Sequence, residues 1–82
     1  MTIAEAKAAL LAEFPGKPIA FQAVVSGHGR ASFRVFSNAA TIALMAARLK
    51  ELGLEVGDVA THNPVSTHPR AASVVATEAS NE

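Results

Sequence analysis

Residues 20–36 read AFQAVVSGHGRASFRVF, two alternating runs on either side of Gly27-His28-Gly29. Alternation of period two places successive side chains on opposite faces of a strand. The pattern therefore constrains not only the strands but their register. A two-residue turn would put Phe21 and Val25 on the face of Arg34 and Ser32. A three-residue loop pairs Ser26 with Arg30 and then sets Val25 against Ala31, Ala23 against Phe33 and Phe21 against Val35. All the apolar residues then share one face, and a slip of one residue would destroy that arrangement. Loops of this kind end in a left-handed residue, and Gly29 stands where one is needed. The glycines are explained by backbone geometry, and His28 reads as an exposed loop tip rather than a catalytic group.

Helices flank the hairpin. Thr2 and Glu5 have capping-box spacing, and Ile3, Ala6, Leu10 and Phe14 follow as an apolar stripe that Leu11 widens. Pro15-Gly16 ends this helix. Ser37-Asn38 start a second helix, with Ile42, Met45, Leu49 and Leu52 on its buried side and Leu44 and Ala46 broadening it. Arg48 and Lys50 fall in its last turns, and Gly53-Leu54 fits a Schellman stop.

Beyond the second helix, LEVGDVATH reads as a third strand that Gly57 interrupts as a bulge. Pro64 and Pro69 bracket a loop, ASVVAT reads as a short extra strand, and EASNE as a frayed end. The expected organisation is one α+β domain over residues 1–69 and a C-terminal tail over 70–82. Its order is α-β-β-α-β(-β), a two-layer sandwich with a small mixed sheet and both helices on one face. The strand–helix–strand connection from the hairpin to LEVGDVATH is expected to be a right-handed crossover between parallel strands.

With 82 residues and no Trp or Tyr, the four Phe residues must supply most of the large-ring packing, while paired alanines add little. The absence of Cys excludes disulfides, thiol catalysis and thiolate metal sites, and it fits a cytoplasmic location. The N-terminal segment carries two glutamates and no basic region ahead of an apolar one, unlike a signal peptide. Formal net charge is zero, yet no acidic residue occurs between Phe14 and Lys50, and the acidic groups gather after residue 50. That asymmetry gives the chain a basic front and an acidic rear.

No arrangement in the sequence specifies a reaction. Ser26, His28 and Asp58 could be assembled on paper as a triad, but nothing positions them and no nucleophile elbow occurs. Glu51 and Glu55 are separated by the helix stop, and His62 and His68 stand six apart without supporting metal ligands. The chain is therefore expected to be no enzyme and to use no cofactor or metal. The most informative constellation is the open face of the hairpin: Gln22, Arg30, Ser32, Arg34 and Phe36. Basic and polar groups beside an aromatic can neutralise phosphates and stack a base, or can dock an acidic protein patch.

The segment SFRVFSNAATIALMAARLKELGLEV, residues 32–56, resembles one βαβ repeat of SPOR domains in its Ser-Asn helix start, A-x-x-L helix and L-x-x-x-G ending. That resemblance implies a peptidoglycan-binding module. In general character the chain is similar to small proteins of phages and other mobile elements, among them anti-CRISPR proteins, which bind a Cas complex and block it. Those families share no motif, so the resemblance assigns no residue. It implies a non-enzymatic inhibitor that covers a surface of a larger protein or ribonucleoprotein complex. A nucleic-acid-binding accessory protein and the SPOR-like module are the alternatives. A homodimer, formed by edge pairing or by exchange of the tail with burial of Val74 and Val75, is also expected.

Overall fold

The computed structural model describes residues 1–25 and 29–79, in which two helices pack on one face of an antiparallel sheet. The elements are α1 (Ile3–Glu13), β1 (Ala20–Val24), β2 (Ser32–Ser37), α2 (Ala39–Glu51), β3 (Glu55–Val56), β4 (Ala60–Thr61) and β5 (Ala72–Thr77). This is the α+β two-layer arrangement that the sequence implies.

Both helix starts follow the chemistry of their caps. The Thr2 hydroxyl accepts from the Glu5 amide at 3.2 Å, and the Glu5 carboxylate accepts from the Thr2 amide at 2.9 Å. The bond from the Thr2 amide is the chief cause that holds the Glu5 carboxyl below its ordinary pKa, and the Thr2 side chain adds to it. Asn38 caps α2 by accepting from the Thr41 amide. The end of α2 is a Schellman stop: Gly53 N–H reaches Lys50 O at 3.0 Å, Leu54 N–H reaches Leu49 O at 3.1 Å, and Gly53 has φ +89°. Arg48, near that end, grips Glu13 of α1 through both carboxylate oxygens at 2.7 and 3.2 Å. The pair fastens the two helices together and lowers the Glu13 pKa, chiefly through the hydrogen bond.

The hairpin has the register that its apolar face demands. Phe21 lies opposite Val35, Gln22 opposite Arg34, Ala23 opposite Phe33 and Val24 opposite Ser32. Ser26, Gly27 and His28 lie outside the described residues, but Gly29 has φ +72°. Among the described residues, its chain neighbours aside, no atom lies within 4 Å of a methyl placed there, so backbone strain is what opposes substitution. Gly29→Ala should lower stability by about 1 kcal/mol in denaturant titration, and Gly29→Asn by less, since Asn tolerates this conformation better. Equal losses for the two variants would contradict a left-handed requirement.

The core lies between the helices and the inner sheet face. Ala6 and Leu10 of α1 and Ile42, Met45 and Leu49 of α2 meet Phe33, Val35, Val74 and Ala76, all fully buried. Phe21 and Phe33 make an edge-to-face pair with ring centres 5.6 Å apart, and Lys7 Nζ stands 5.6 Å from each ring centre. Leu11 and Leu44 do not join this core, being 56% and 63% exposed. Each flanks a stripe already filled by residues more nearly facing the sheet. Val25 continues the hairpin alternation but is 98% exposed, because it falls beyond the end of β1.

The sheet departs from the expected mixed form in one decisive respect. Its order is β1-β2-β5-β3, with β4 also on β5, and every pairing is antiparallel. β2 and β3 run in the same direction because both oppose β5, but they are not neighbours. The crossover is thus split by the strand that arrives last. A division at residue 69 does not mark the end of the domain: β5 pairs with β2 from Ala72 to Thr77 and fills the sheet interior. Val74 is already fully buried within a single copy, which removes the motive for exchanging the tail. Residues 80–82, the last part of that expected tail, lie outside the described residues.

The segment LEVGDVATH forms two short strands rather than one. Between Val56 and Ala60 the chain takes four steps while the facing stretch of β5, Ala76 to Ser73, takes three. The extra residue is a bulge at Gly57–Val59, and Gly57 N–H reaches Val75 O at 3.0 Å.

Candidate functional site

The sheet face turned away from the helices carries the polar groups. Register puts Gln22, Arg34 and Val75 in one row across β1, β2 and β5, and Phe36 beside Ser73 in the next. The sequence-derived set therefore does share a face, but its members fare differently. Ser32 is buried, with its hydroxyl 2.8 Å from that of Thr77 opposite, and so offers little to a partner. Arg30, just before β2, is ion-paired with Glu55 of β3. Its charge is largely offset, which reduces its value as an anchor. Gln22 is exposed, and Arg34 and Phe36 are half-buried.

The centre of the face is a cluster that the hairpin alone did not reveal. Arg34 Nη1 donates to Ser73 Oγ at 2.7 Å, and His62 Nε2 lies 2.6 Å from the same oxygen. Ser73 can thus accept from the guanidinium and donate to the imidazole, and the fully buried hydroxyl is satisfied from both sides. The His62 ring lies against Phe36, with centres 5.5 Å apart and planes inclined by 46°. The Arg70 guanidinium stands 5.1 Å from the centre of the Phe36 ring. Two cations, an imidazole and an aromatic ring thereby support one another across β2, β5 and the β4–β5 connection.

That connection has its own framework. His62 and Asn63 amides reach Ala71 O, the Ala71 amide reaches His68 O, and the Ala39 amide at the start of α2 reaches Ser66 O. These bonds close the long β4–β5 hairpin and bring His62 and Arg70 over Phe36. A sequence signal for this existed: two extended segments, ATH and ASVV, bracket a Pro-rich loop. Read as a hairpin, that pattern would have placed His62 and Arg70 near one another.

His62 and His68 take different partners, since His68 Nδ1 accepts from the Arg70 amide. Among the described residues no three His, Asp or Glu side chains form a group able to hold a metal ion, and no helix is long and apolar enough to cross a membrane. Ser26 and His28, the remaining candidates for a triad with Asp58, lie outside the described residues. A cavity of about 240 Å³ lies elsewhere, lined by Met1, Thr2, Leu52, Gly53, Glu78 and Ala79. Its acidic member is committed to the fold, because the Glu78 carboxylate accepts from the Ile3 amide at 2.9 Å.

No protein-family model, curated protein or solved structure matches the chain.

Proposed function

We propose that the chain is a non-enzymatic binding protein that docks the open face of its sheet on a larger protein or ribonucleoprotein complex and blocks it in the cytoplasm. The observation that carries the reading is the pre-assembled cluster of Arg34, Ser73, His62, Phe36 and Arg70. Arginine and aromatic groups dominate binding energy at protein interfaces, and anchors already held in place lose less entropy on docking. A complementary partner surface would be acidic. An anti-CRISPR-type inhibitor of a Cas effector is the specific form proposed.

A nucleic-acid partner is the second reading, favoured by two arginines and an aromatic ring on one face. Two features weigh against it. Arg30 is offset by Glu55, and the Phe36 ring is engaged by Arg70 and His62 instead of standing free for a base to stack on.

The test is retention of purified Cas effector complexes on the immobilised protein, before and after nuclease. Binding to a protein surface should survive nuclease and fall at least tenfold in both Arg34→Glu and Arg70→Glu, with far-UV circular dichroism unchanged. Loss of binding on nuclease treatment, with a steep salt dependence, would favour the nucleic-acid reading. Co-sedimentation with cell-wall sacculi alone would favour the SPOR-like one. Undiminished binding by both folded variants would mean that the open face is not the docking surface.

A further inference from the structure

We infer that the free edge of β1 pairs antiparallel with β1 of a second copy about a two-fold axis at Gln22, joining two sheets into one. This inference is independent of the docking role of the open face.

The two edges of the sheet differ sharply. One is formed by β3 and β4, two residues each, displaced by a bulge and carrying Glu55 and Asp58. Short strands, bulges and charges are the devices by which proteins keep an edge from pairing with another chain. The opposite edge has none of them. β1 is five residues of regular strand, and from Ala20 to Val25 there is no charge, proline or glycine. It pairs only with β2, and no backbone hydrogen bond reaches its outer side from any other described segment. A protein that guards one edge fully and leaves the other regular and uncharged has a use for the second.

The sequence of β1 also suits its own copy. Full antiparallel overlap of Ala20–Val24 puts Gln22 opposite the partner's Gln22, Phe21 opposite the partner's Ala23, and Ala20 opposite the partner's Val24. Each larger residue meets a small one, no like charges meet, and the central glutamines can hydrogen-bond to each other. The axis stands perpendicular to the sheet. Both helical layers therefore remain on one side and both Arg34–Phe36 clusters on the other. One strand pair buries far less than the roughly 1,200 Å² of a standard interface, so the association is weak and concentration-dependent.

Opposite charges at Gln22 test the geometry. Sedimentation velocity of the wild type should show a monomer–dimer equilibrium that shifts with concentration. At the concentration where the wild type is half dimer, Gln22→Lys alone and Gln22→Glu alone should each be monomeric. Their equimolar mixture should recover the dimer, because lysine then faces glutamate. Circular dichroism of each variant checks the fold, which should be unaffected since Gln22 is exposed. A wild type that stays monomeric up to its solubility limit would overturn the inference. So would variants that dimerise as the wild type does, or a mixture that stays monomeric.

Discussion

Removing residues 70–82 should abolish cooperative folding. The deletion takes away β5, which pairs with β2 along six residues and holds both short strands of the far edge. It also strips the fully buried Val74 and Ala76 from the core and leaves β2 with a strand neighbour on one side only. Domains of this size have stabilities on the order of 5 kcal/mol, less than the loss of a central strand. The point variant Val74→Asp should have the same outcome, because an unpaired carboxylate buried there costs several kcal/mol. The measurement is a thermal melt followed by circular dichroism. A truncated chain with a sharp transition near that of the full chain would show that β5 is dispensable and the strand order wrong.

Phe33→Ala should be the costliest single truncation in the core, at about 3–5 kcal/mol. Phe33 is the largest side chain that is fully buried. Its ring makes the edge-to-face pair with Phe21, lies beneath Lys7 and packs in the cluster that joins both helices to the sheet. Phe36→Ala, three residues on and on the opposite face, is the natural control. It removes the same atoms from a half-buried position and should lose less than half as much. Urea titration of both variants would show the difference as a shift in midpoint at nearly constant slope. Similar losses would mean that the two faces of β2 are not divided into core and open surface.

The parts of this fold that were legible in the sequence are those set by short-range rules. Thr2, Glu5, Asn38 and Gly53 each specify a helix end through bonds to residues at most five positions away. The hairpin register follows from alternation across a three-residue loop, and the structure has that register from the Ala20–Phe36 pair to the Val24–Ser32 pair. What could not be read was the insertion of β5 between β2 and β3. Periodicity gives each strand a face but no neighbour. ASVVAT does carry a clue in its near-continuous small apolar run, the pattern of a strand covered on both faces. The candidate site divided along the same line. Arg34 and Phe36 belong to the hairpin, whose alternation puts them on one face, whereas His62, Arg70 and Ser73 join them only through the long-range β5 pairing.

The position of β5 also fixes the order in which the molecule can be made. Of the described strands, the one at the middle of the sheet is the last to leave the ribosome. The β1–β2 hairpin and α2 can form within microseconds of being available, since their contacts are local. The pairing of Ser32 with Thr77 must wait until 45 further residues have been synthesised and a long loop has closed. Until then β2 has an open side of its own, with the apolar sequence Phe33-Arg34-Val35-Phe36 exposed. Arg34 is the only charge in that stretch, so the residue at the centre of the mature open face also acts earlier, as the gatekeeper of a nascent strand.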